Sequence, residues 1–377
     1  MTKPLSELLV QTDFTDEDIA RLLALDSPEE CLALQKRAYD VTTEFMGPNV
    51  YLRGLIEVSN VCTANCRYCG IRKNNHRVER YTLSEEVILA CAKHAAREGY
   101  GSIAIQAGER RDPKWVEWIS GLLTRIHAET VSPELPTGLG ITLSLGEQPL
   151  DVYERWAQAS GNPHGLRYLL RFESSNPALF RALHCTPGKN EKVLEHRYEA
   201  LRNLHRAGYQ VGTGVMIGLP GQTIEDLVQD IRTFEAVNAD MIGMGPYITS
   251  AGADMASEGM MPRKRLMQLS LNMIAATRLV MKNINIAAAT ALETLEPDGR
   301  IKGILSGCNV VMPNITPQAT RKSYQLYDNK AGCEVGPESN FRVAEKIVNE
   351  AHRTLGLHKL GSSMRWQART GDQCAVQ

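Results

Sequence analysis

Strand-like and helix-like stretches alternate along most of this 377-residue chain, and this alternation constrains the fold more than any other feature. Short apolar runs predict eight strands, at 53–59, 102–107, 139–145, 166–172, 210–217, 240–246, 284–290 and 308–313. Stretches with helical spacing lie between them, at 84–98, 113–128, 149–159, 189–207, 223–236 and 262–281, with a short seventh link at 298–305. Eight strand–helix units favour a parallel sheet that closes into a barrel.

The two ends of the chain depart from this alternation. The first fifty residues look helical, with Thr15 and Ser27 in positions that begin helices. A closing helix is predicted at 340–356, after an irregular stretch. We therefore predict an α/β protein, a (β/α)8 TIM-type barrel with an N-terminal helical extension. Its predicted divisions are a helical segment, the barrel and a C-terminal tail, at 1–50, 51–356 and 357–377.

Charge, hydropathy and cysteine content together indicate where the protein works and what it does not bind. The chain has 42 basic and 43 acidic residues, so no net field favours nucleic acid or a membrane surface. The N-terminus has no apolar signal region, and no run of about 18 apolar residues predicts a membrane span. Nine scattered cysteines do not form a disulfide scaffold. We predict a cytoplasmic protein that binds neither nucleic acid nor membrane.

Three cysteines with the spacing C-x3-C-x2-C follow the first predicted strand: Cys62, Cys66 and Cys69. The functional loops of a (β/α)8 barrel lie at the C-terminal ends of its strands, so this loop belongs to that face. Three thiolates on one loop can hold three irons of a [4Fe–4S] cluster, which normally takes four protein ligands. The fourth iron would then be open to a small molecule, so the three cysteines are the predicted metal ligands and catalytic centre.

Structural zinc is the main alternative for this loop. Zinc needs four closed ligands, and His76 is the only histidine nearby. A zinc site would therefore need a distant ligand such as Cys91 or Cys308. A redox thiol group is a further alternative.

The cysteine spacing, with Tyr68 just before the last cysteine, resembles the signature of the radical S-adenosylmethionine (SAM) superfamily. The resemblance implies two cofactors, one [4Fe–4S] cluster and SAM. It implies that the amine and carboxylate of SAM chelate the open iron. One electron then cleaves the sulfonium to methionine and a 5′-deoxyadenosyl radical. The aromatic residue at the position of Tyr68 lies near the adenine in this superfamily.

The ends of strands two and three add polar candidates. Residues Gln106 to Glu109 form an ordinary strand–helix turn on one interpretation. Beside the cysteine signature, the turn resembles the "GGE" turn of the superfamily, which receives the amino group of SAM. Strand three ends with Ser144, whose hydroxyl is expected to face the barrel mouth.

Strand four carries Arg171 and Glu173 on one face, two residues apart. They form a mutual ion pair on one interpretation, whereas on the other Glu173 binds the ribose or amine of SAM. Arg197 on the next helix matches the SAM carboxylate, although an exposed helical arginine is the alternative. Met241 on strand six offers a surface for the cofactor or is a core residue.

Several motifs resemble a narrower group, the HydE-type [FeFe]-hydrogenase maturases, from about residue 13 to 355. They include the segments at 57–62, 69–72, 144–147, 167–171, 218–223, 312–314 and 324–327. The resemblance implies that Glu173 and Arg197 bind SAM. It implies that Thr290, Tyr324 and Tyr327 face the substrate cavity, to which Arg171 also contributes. The implied substrate is a small Fe(CO)2(CN)–cysteine species. The implied partners are the maturase HydG, a scaffold protein and a ferredoxin or flavodoxin as reductant.

Two departures from that group leave the substrate open. Cys333 stands without the two further cysteines of an auxiliary cluster, so a single cluster is expected. Ala289 and Glu293 replace the residues that the group commonly has after strand seven. The alternatives are a methylornithine-synthase-like or other cofactor-assembly radical enzyme, and an iron–sulfur carrier or scaffold without catalysis.

Overall fold

The computed structural model describes residues 3–162, 165–184, 192–333 and 337–371. Its strands are β1 (Asn49–Ser59), β2 (Ser102–Ala107), β3 (Gly140–Ser144), β4 (Leu166–Leu169), β5 (Gln210–Thr213), β6 (Met216–Ile217), β7 (Met241–Ile242), β8 (Gly245–Pro246), β9 (Asn285–Ala288), β10 (Val310–Val311) and β11 (Thr354–Leu355).

The strands close into a parallel barrel. Their order is β1-β2-β3-β4-β5-β7-β9-β10, and β10 pairs with β1 through Tyr51 and Val310. Two predicted strands are interrupted, because β5 and β7 are followed by the short pair β6 and β8. The (β/α)8 barrel predicted from the alternation is confirmed.

The helices of the described residues are α1 (Leu5–Leu8), α2 (Asp16–Leu23), α3 (Pro28–Met46), α4 (Glu85–Arg97), α5 (Pro113–Thr130), α6 (Leu150–Ala159), α7 (Pro177–His184), α8 (Leu194–Arg206), α9 (Ile224–Ala236), α10 (Arg263–Val280), α11 (Thr290–Leu295), α12 (Gly299–Leu305), α13 (Gln318–Arg321), α14 (Pro337–Glu350) and α15 (Met364–Thr370). Side chains before the helices fix several of their starts. Ser84, Asp112 and Thr223 each accept a backbone N–H from the first turn of α4, α5 and α9. None of these helices is long and apolar enough to cross a membrane.

The N-terminal helices pack on the outside of the barrel, against α9 and α10. Asp16 at the start of α2 forms an ion pair with Arg232 of α9, at 2.7 Å. Asn272 of α10 donates to the carbonyl oxygens of Leu23 and Leu25, at 3.2 and 2.8 Å. The extension is therefore joined to the barrel by backbone and charged contacts as well as by apolar packing.

The C-terminal segment crosses the N-terminal end of the barrel, which we call the barrel floor. Arg53 of β1 donates to the carbonyl oxygen of Gly361, and Arg167 of β4 to that of Leu360. Asn285 of β9 also donates to Gly361, at 2.9 Å. Because both arginines are fully buried, these carbonyl oxygens replace water as their acceptors. The predicted boundary before residue 357 stays a prediction, although residues 360–361 contact three barrel strands.

The structure differs from the expectation at several helices. α7 and α11 were not predicted, and Thr290 begins α11 instead of ending a strand. The closing helix ends at Glu350, because His352 takes a left-handed conformation with φ 54°. The chain then adds β11 beside the start of β1. The first residues of the helix predicted at 189–207 lie outside the described residues, and α8 begins at Leu194.

Candidate active site

The cysteine loop lies at the C-terminal end of β1, as the barrel geometry predicts. Arg80 supports it by donating to four backbone carbonyl oxygens at 2.6–3.1 Å, those of Asn60, Ile71, Arg72 and Asn75. At Gly70, a Cβ would collide with the carbonyl oxygen of Gln325, so only glycine allows the loop to approach that segment. The sequence thus fixes the backbone around the three thiols.

The three thiols influence one another electrostatically. Burial raises the pKa of Cys62, and it raises the pKa of Cys66 to about 11. Burial and then the two neighbouring cysteines raise the pKa of Cys69. Three neighbouring thiols whose pKa values are all raised are stable as thiolates only when a positive centre binds them.

The arrangement fits a cluster better than a single metal ion. Among the described residues, no three His, Cys, Asp or Glu side chains converge so that they could hold one ion, as zinc requires. In a cubane, each cysteine binds a separate iron, so the sulfurs need not converge on one point. Cys62, Cys66 and Cys69 would hold a [4Fe–4S] cluster, and their loop supplies no fourth cysteine.

Glu173 connects strand four to the cysteine loop. It accepts a hydrogen bond from the Tyr68 hydroxyl at 3.3 Å and forms an ion pair with Arg171 at 2.7 Å. Glu173 has φ 67°, unusual for a non-glycine residue, and its backbone bonds Gly214 and Met216 on both sides. The mutual ion pair of strand four is therefore present, and it lies beside the cysteine loop.

A second group of charges lies between strands two and three and α8. Arg197 is buried and donates to Glu147 at 2.5 Å. The alternative interpretation, in which Arg197 is an exposed arginine on a helix, is therefore wrong. Burial works against the charge of Glu147, but Arg197 and Lys192 hold its pKa down at about 2. Glu109 bonds Lys192 at 2.8 Å and accepts the backbone N–H of Glu147 at 3.1 Å.

Gln106 and Ser144 lie side by side with Glu57 on neighbouring strands. The register pairs Glu57 of β1 with Gln106 of β2, and Gln106 with Ser144 of β3. Gln106 and Ser144 are half-buried, whereas Glu57 is fully buried. The three residues form a polar layer at the end of the barrel that carries the cysteine loop.

The residues expected at the substrate cavity come from two segments. Thr290 is the first residue of α11, and the segment from 322 to 333 supplies Tyr324 and Tyr327. Burial raises the pKa of both tyrosines, and the charges of Glu57 and Arg171 also act on Tyr327. Tyr327 is therefore within electrostatic reach of Glu57 and Arg171.

Met241 does not join this group. Its sulfur contacts the guanidinium group of Arg53 at the barrel floor. Its methyl group also fills the space beside Gly212, where a side chain would collide with it. Of the two interpretations of Met241, the structure matches that of a core residue, and the expected SAM surface is not formed by this side chain.

Three charged residues at the site were missed by sequence reasoning as individual candidates. Glu147 was noted only within a turn, and Lys192 and Lys330 were not singled out. Lys330 forms a buried ion pair with Glu57, whose other carboxylate oxygen accepts from Asn314 at 3.0 Å. For Glu147 and Lys330 the available signal was placement in a strand-end loop, whereas Lys192 lay in a predicted helix. Pairing across the barrel is not visible in sequence.

Glu293, one of the departures after strand seven, also forms an ion pair. It contacts Arg300 of α12 at 2.6 Å, and the tyrosine at 327 interacts electrostatically with that arginine. Arg300 is only 8% exposed. Glu293, at a position where this chain differs from the HydE-type maturases, thus adds a paired charge close to the expected cavity.

Comparison with known proteins agrees with this geometry. The model of the "Radical SAM superfamily" matches residues 56–234, which include the cysteine loop and the strand ends of the site. The fold and the cysteine site thus define a radical SAM enzyme, and enzymes of this class use a [4Fe–4S] cluster and SAM.

Over 325 residues, the chain is 38% identical to the [FeFe] hydrogenase maturase subunit HydE of Thermotoga maritima, covering 86% of this chain and 87% of that protein. The chain belongs to the HydE family. It is also 26% identical to the 3-methylornithine synthase of Methanosarcina barkeri, over 83% of each chain.

Solved structures share the fold. A methylornithine synthase crystal structure superposes with a TM-score of 0.76 at 22% identity, covering 94% of this chain and 97% of that one. The maturase HydG from Carboxydothermus hydrogenoformans gives a TM-score of 0.72 at 18% identity, covering 92% of this chain and 78% of that one. At these identities the likeness concerns the barrel fold.

Proposed function

We propose that this enzyme takes part in the assembly of the [FeFe]-hydrogenase active-site cluster, since its relative is named an [FeFe] hydrogenase maturase subunit. The observation that carries the proposal is the 38% identity to HydE over 86% of the chain. The three-cysteine loop beside Glu173 and Arg197 supports it, because this arrangement is suited to binding SAM. When bound, the cluster supplies the electron that cleaves SAM.

We assign the protein groups at the site as follows. Cys62, Cys66 and Cys69 bind the cluster, and Tyr68 lies near the adenine. Glu173 and Arg197 bind the ribose or amine and the carboxylate of SAM, helped by the polar ends of strands two and three. The side chains of that last group are Gln106, Glu109 and Ser144.

A small, charged iron complex is the proposed substrate, an Fe(CO)2(CN)–cysteine species. Arg171, Lys330 and Arg300 bring three cations to this end of the barrel, each paired with a carboxylate. Each of these cations has more N–H donors than its carboxylate partner uses, so it can also donate to an anionic guest while the ion pair is kept. Thr290, Tyr324 and Tyr327 complete the proposed cavity.

The proposed partner proteins follow from the similarity to HydE. A partner maturase of the HydG type would supply the substrate, a scaffold protein would receive the product, and a ferredoxin or flavodoxin would supply the electron. With such partners, the proposed location of the reaction is the cytoplasm.

The first experiment tests the radical chemistry. Anaerobically reconstituted protein, given dithionite and SAM, is expected to form 5′-deoxyadenosine. The Cys→Ala variants at 62, 66 and 69 should lose this product, because each removes an iron ligand. Cys91→Ala is the control, since Cys91 lies on α4. Unchanged product in the three loop variants would contradict the assignment, whereas absence of product from the wild type would favour a carrier role.

The second experiment distinguishes hydrogenase maturation from 3-methylornithine synthesis. Added to a hydrogenase maturation assay with HydG, the enzyme should increase the yield of active hydrogenase. Formation of 3-methylornithine, without any effect on hydrogenase, would favour the second candidate, which the 26% identity to 3-methylornithine synthase supports.

A further inference from the structure

His184, the last residue of α7, contacts one of the cysteines directly. Its Nδ1 atom lies 3.3 Å from the Sγ atom of Cys66, and the residue is only 6% exposed. Neither the expected SAM contacts nor the expected substrate cavity uses this histidine. We propose that His184 donates an N–H···S hydrogen bond to the Cys66 thiolate and thereby sets the reduction potential of the cluster.

The imidazole ring is held in place from several sides. Phe180, one turn earlier on α7, packs on it with ring centroids 4.4 Å apart. Tyr68 meets it edge-on at 5.7 Å. A ring fixed in this way keeps its nitrogen directed at one sulfur, as a hydrogen bond that tunes a cluster requires.

The helix end is attached to the cysteine loop itself. The backbone N–H of Arg67 donates to the carbonyl oxygen of Leu183 at 2.8 Å, and its guanidinium group donates to that of Ala182 at 3.0 Å. The last turn of α7 and the loop thus form one unit, and the His184–Cys66 contact is part of it.

The direction of the hydrogen bond follows from the chemistry of a ligated cysteine. A thiolate that binds iron has no proton, so it can only accept a hydrogen bond. The contact persists in the loaded enzyme when Nδ1 carries a proton. The Nε2 atom is buried and has no hydrogen-bond partner among the described residues, so Nδ1 is where the ring proton gains a partner.

The surroundings make this hydrogen bond effective. Buried apolar residues lie next to Tyr68 and α7, namely Leu183, Met216, Leu219, Tyr247 and Met255. In such dry surroundings a hydrogen bond to a charged acceptor is stronger than in water. It stabilises the reduced cluster more than the oxidised one, because the reduced form carries an additional negative charge. The bond therefore raises the midpoint potential.

The test compares two substitutions at this position. His184→Phe keeps an aromatic ring between Phe180 and Tyr68 but removes the donor. His184→Asn keeps an amide N–H close to the position of Nδ1. In EPR-monitored redox titrations of the reconstituted holoenzyme without SAM, we expect a more negative potential for His184→Phe and a potential close to wild type for His184→Asn.

His205→Phe is the matched control, because this histidine bonds the carbonyl oxygen of Val237, between α9 and β7. Its potential should equal that of wild type. A wild-type potential in His184→Phe, an equal shift in His184→Asn, or an equal shift in His205→Phe would each overturn the proposal.

A second measurement uses the unchanged protein, so it does not depend on how the variants fold. Pulsed EPR of the reduced cluster in wild-type enzyme labelled with 15N-histidine should show a nitrogen coupling. Absence of that coupling would overturn the proposal. Both measurements depend on the cluster and not on the substrate, so a failed hydrogenase maturation assay would not affect them.

Discussion

Asp230 shows how a single buried carboxyl group makes stability depend on pH. It is fully buried on α9, where it accepts the backbone N–H of Ser175 at 2.6 Å. Burial raises its pKa to about 7, and the charges of Asp226 and Glu173 act in the same direction. The folded protein therefore holds this proton more tightly than the unfolded chain does, so the stabilisation is lost as the pH rises through about 7.

We expect Asp230→Asn to remove this dependence, because asparagine keeps the acceptor for Ser175 and carries no charge. Between about pH 6 and about pH 8.5, the wild type should lose roughly 1 kcal/mol of unfolding free energy relative to the variant. Urea unfolding at the two pH values measures this difference. Asp40→Asn, at an exposed position of α3, is the control. Equal pH dependence in the wild type and Asp230→Asn would contradict the prediction.

Residue identity alone predicts three cysteines as the cluster ligands but does not predict their surroundings. Cys62, Cys66 and Cys69 were predicted because their spacing is a property of one short loop. The contact of His184 with Cys66, and that of Arg197 with Glu147, join segments far apart in the chain. No local pattern marks such pairs, since each depends on the closed barrel.

At the scale of elements, a buried ion pair is among the contacts that attach the segment from 322 to 333 to the barrel. Lys330 contacts Glu57 of β1 and donates to the carbonyl oxygen of Tyr324 at 3.2 Å. Both charged side chains are almost completely buried. Removal of one partner leaves the other charge buried alone, which is costly.

We expect Lys330→Met to lower the unfolding free energy by about 3–5 kcal/mol. Glu57→Gln combined with Lys330→Met should lose less, because no unpaired charge remains. Denaturant unfolding measures both, and limited proteolysis should cut the 322–333 segment faster in the single variant. Lys346→Met, in an exposed pair with Glu350, is the control and should change stability by less than about 1 kcal/mol. A larger loss of unfolding free energy in the combined variant than in Lys330→Met would contradict this prediction.

Most elements could be predicted because their periodicity is local. The helices after strands one, two and five begin where capping residues occur in the sequence. α7 was not predicted because it lies between strand four and the next predicted helix. No predicted strand separates the two helices, so the strand–helix alternation does not indicate a separate helix. The early end of α14 depends on the backbone of His352, which is not a typical helix-ending residue.

At the scale of the whole molecule, the cysteines predict the metal content. Among the described residues, the cysteines outside the loop are Cys31, Cys91, Cys308 and Cys333. We expect about four irons per chain after reconstitution, the content of one cubane. Iron analysis with EPR of the reduced protein measures this. About eight irons with two distinct signals would contradict the single-cluster prediction.

The barrel floor has a consequence for the order in which the molecule is completed. Residues 360–361 supply carbonyl oxygens to Arg53, Arg167 and Asn285, which belong to three different strands. These acceptors leave the ribosome after every strand of the barrel has been made. Until they arrive, the two guanidinium groups need water, so the floor stays hydrated during synthesis. The floor of the barrel can therefore become dry only after residues 360–361 have been made.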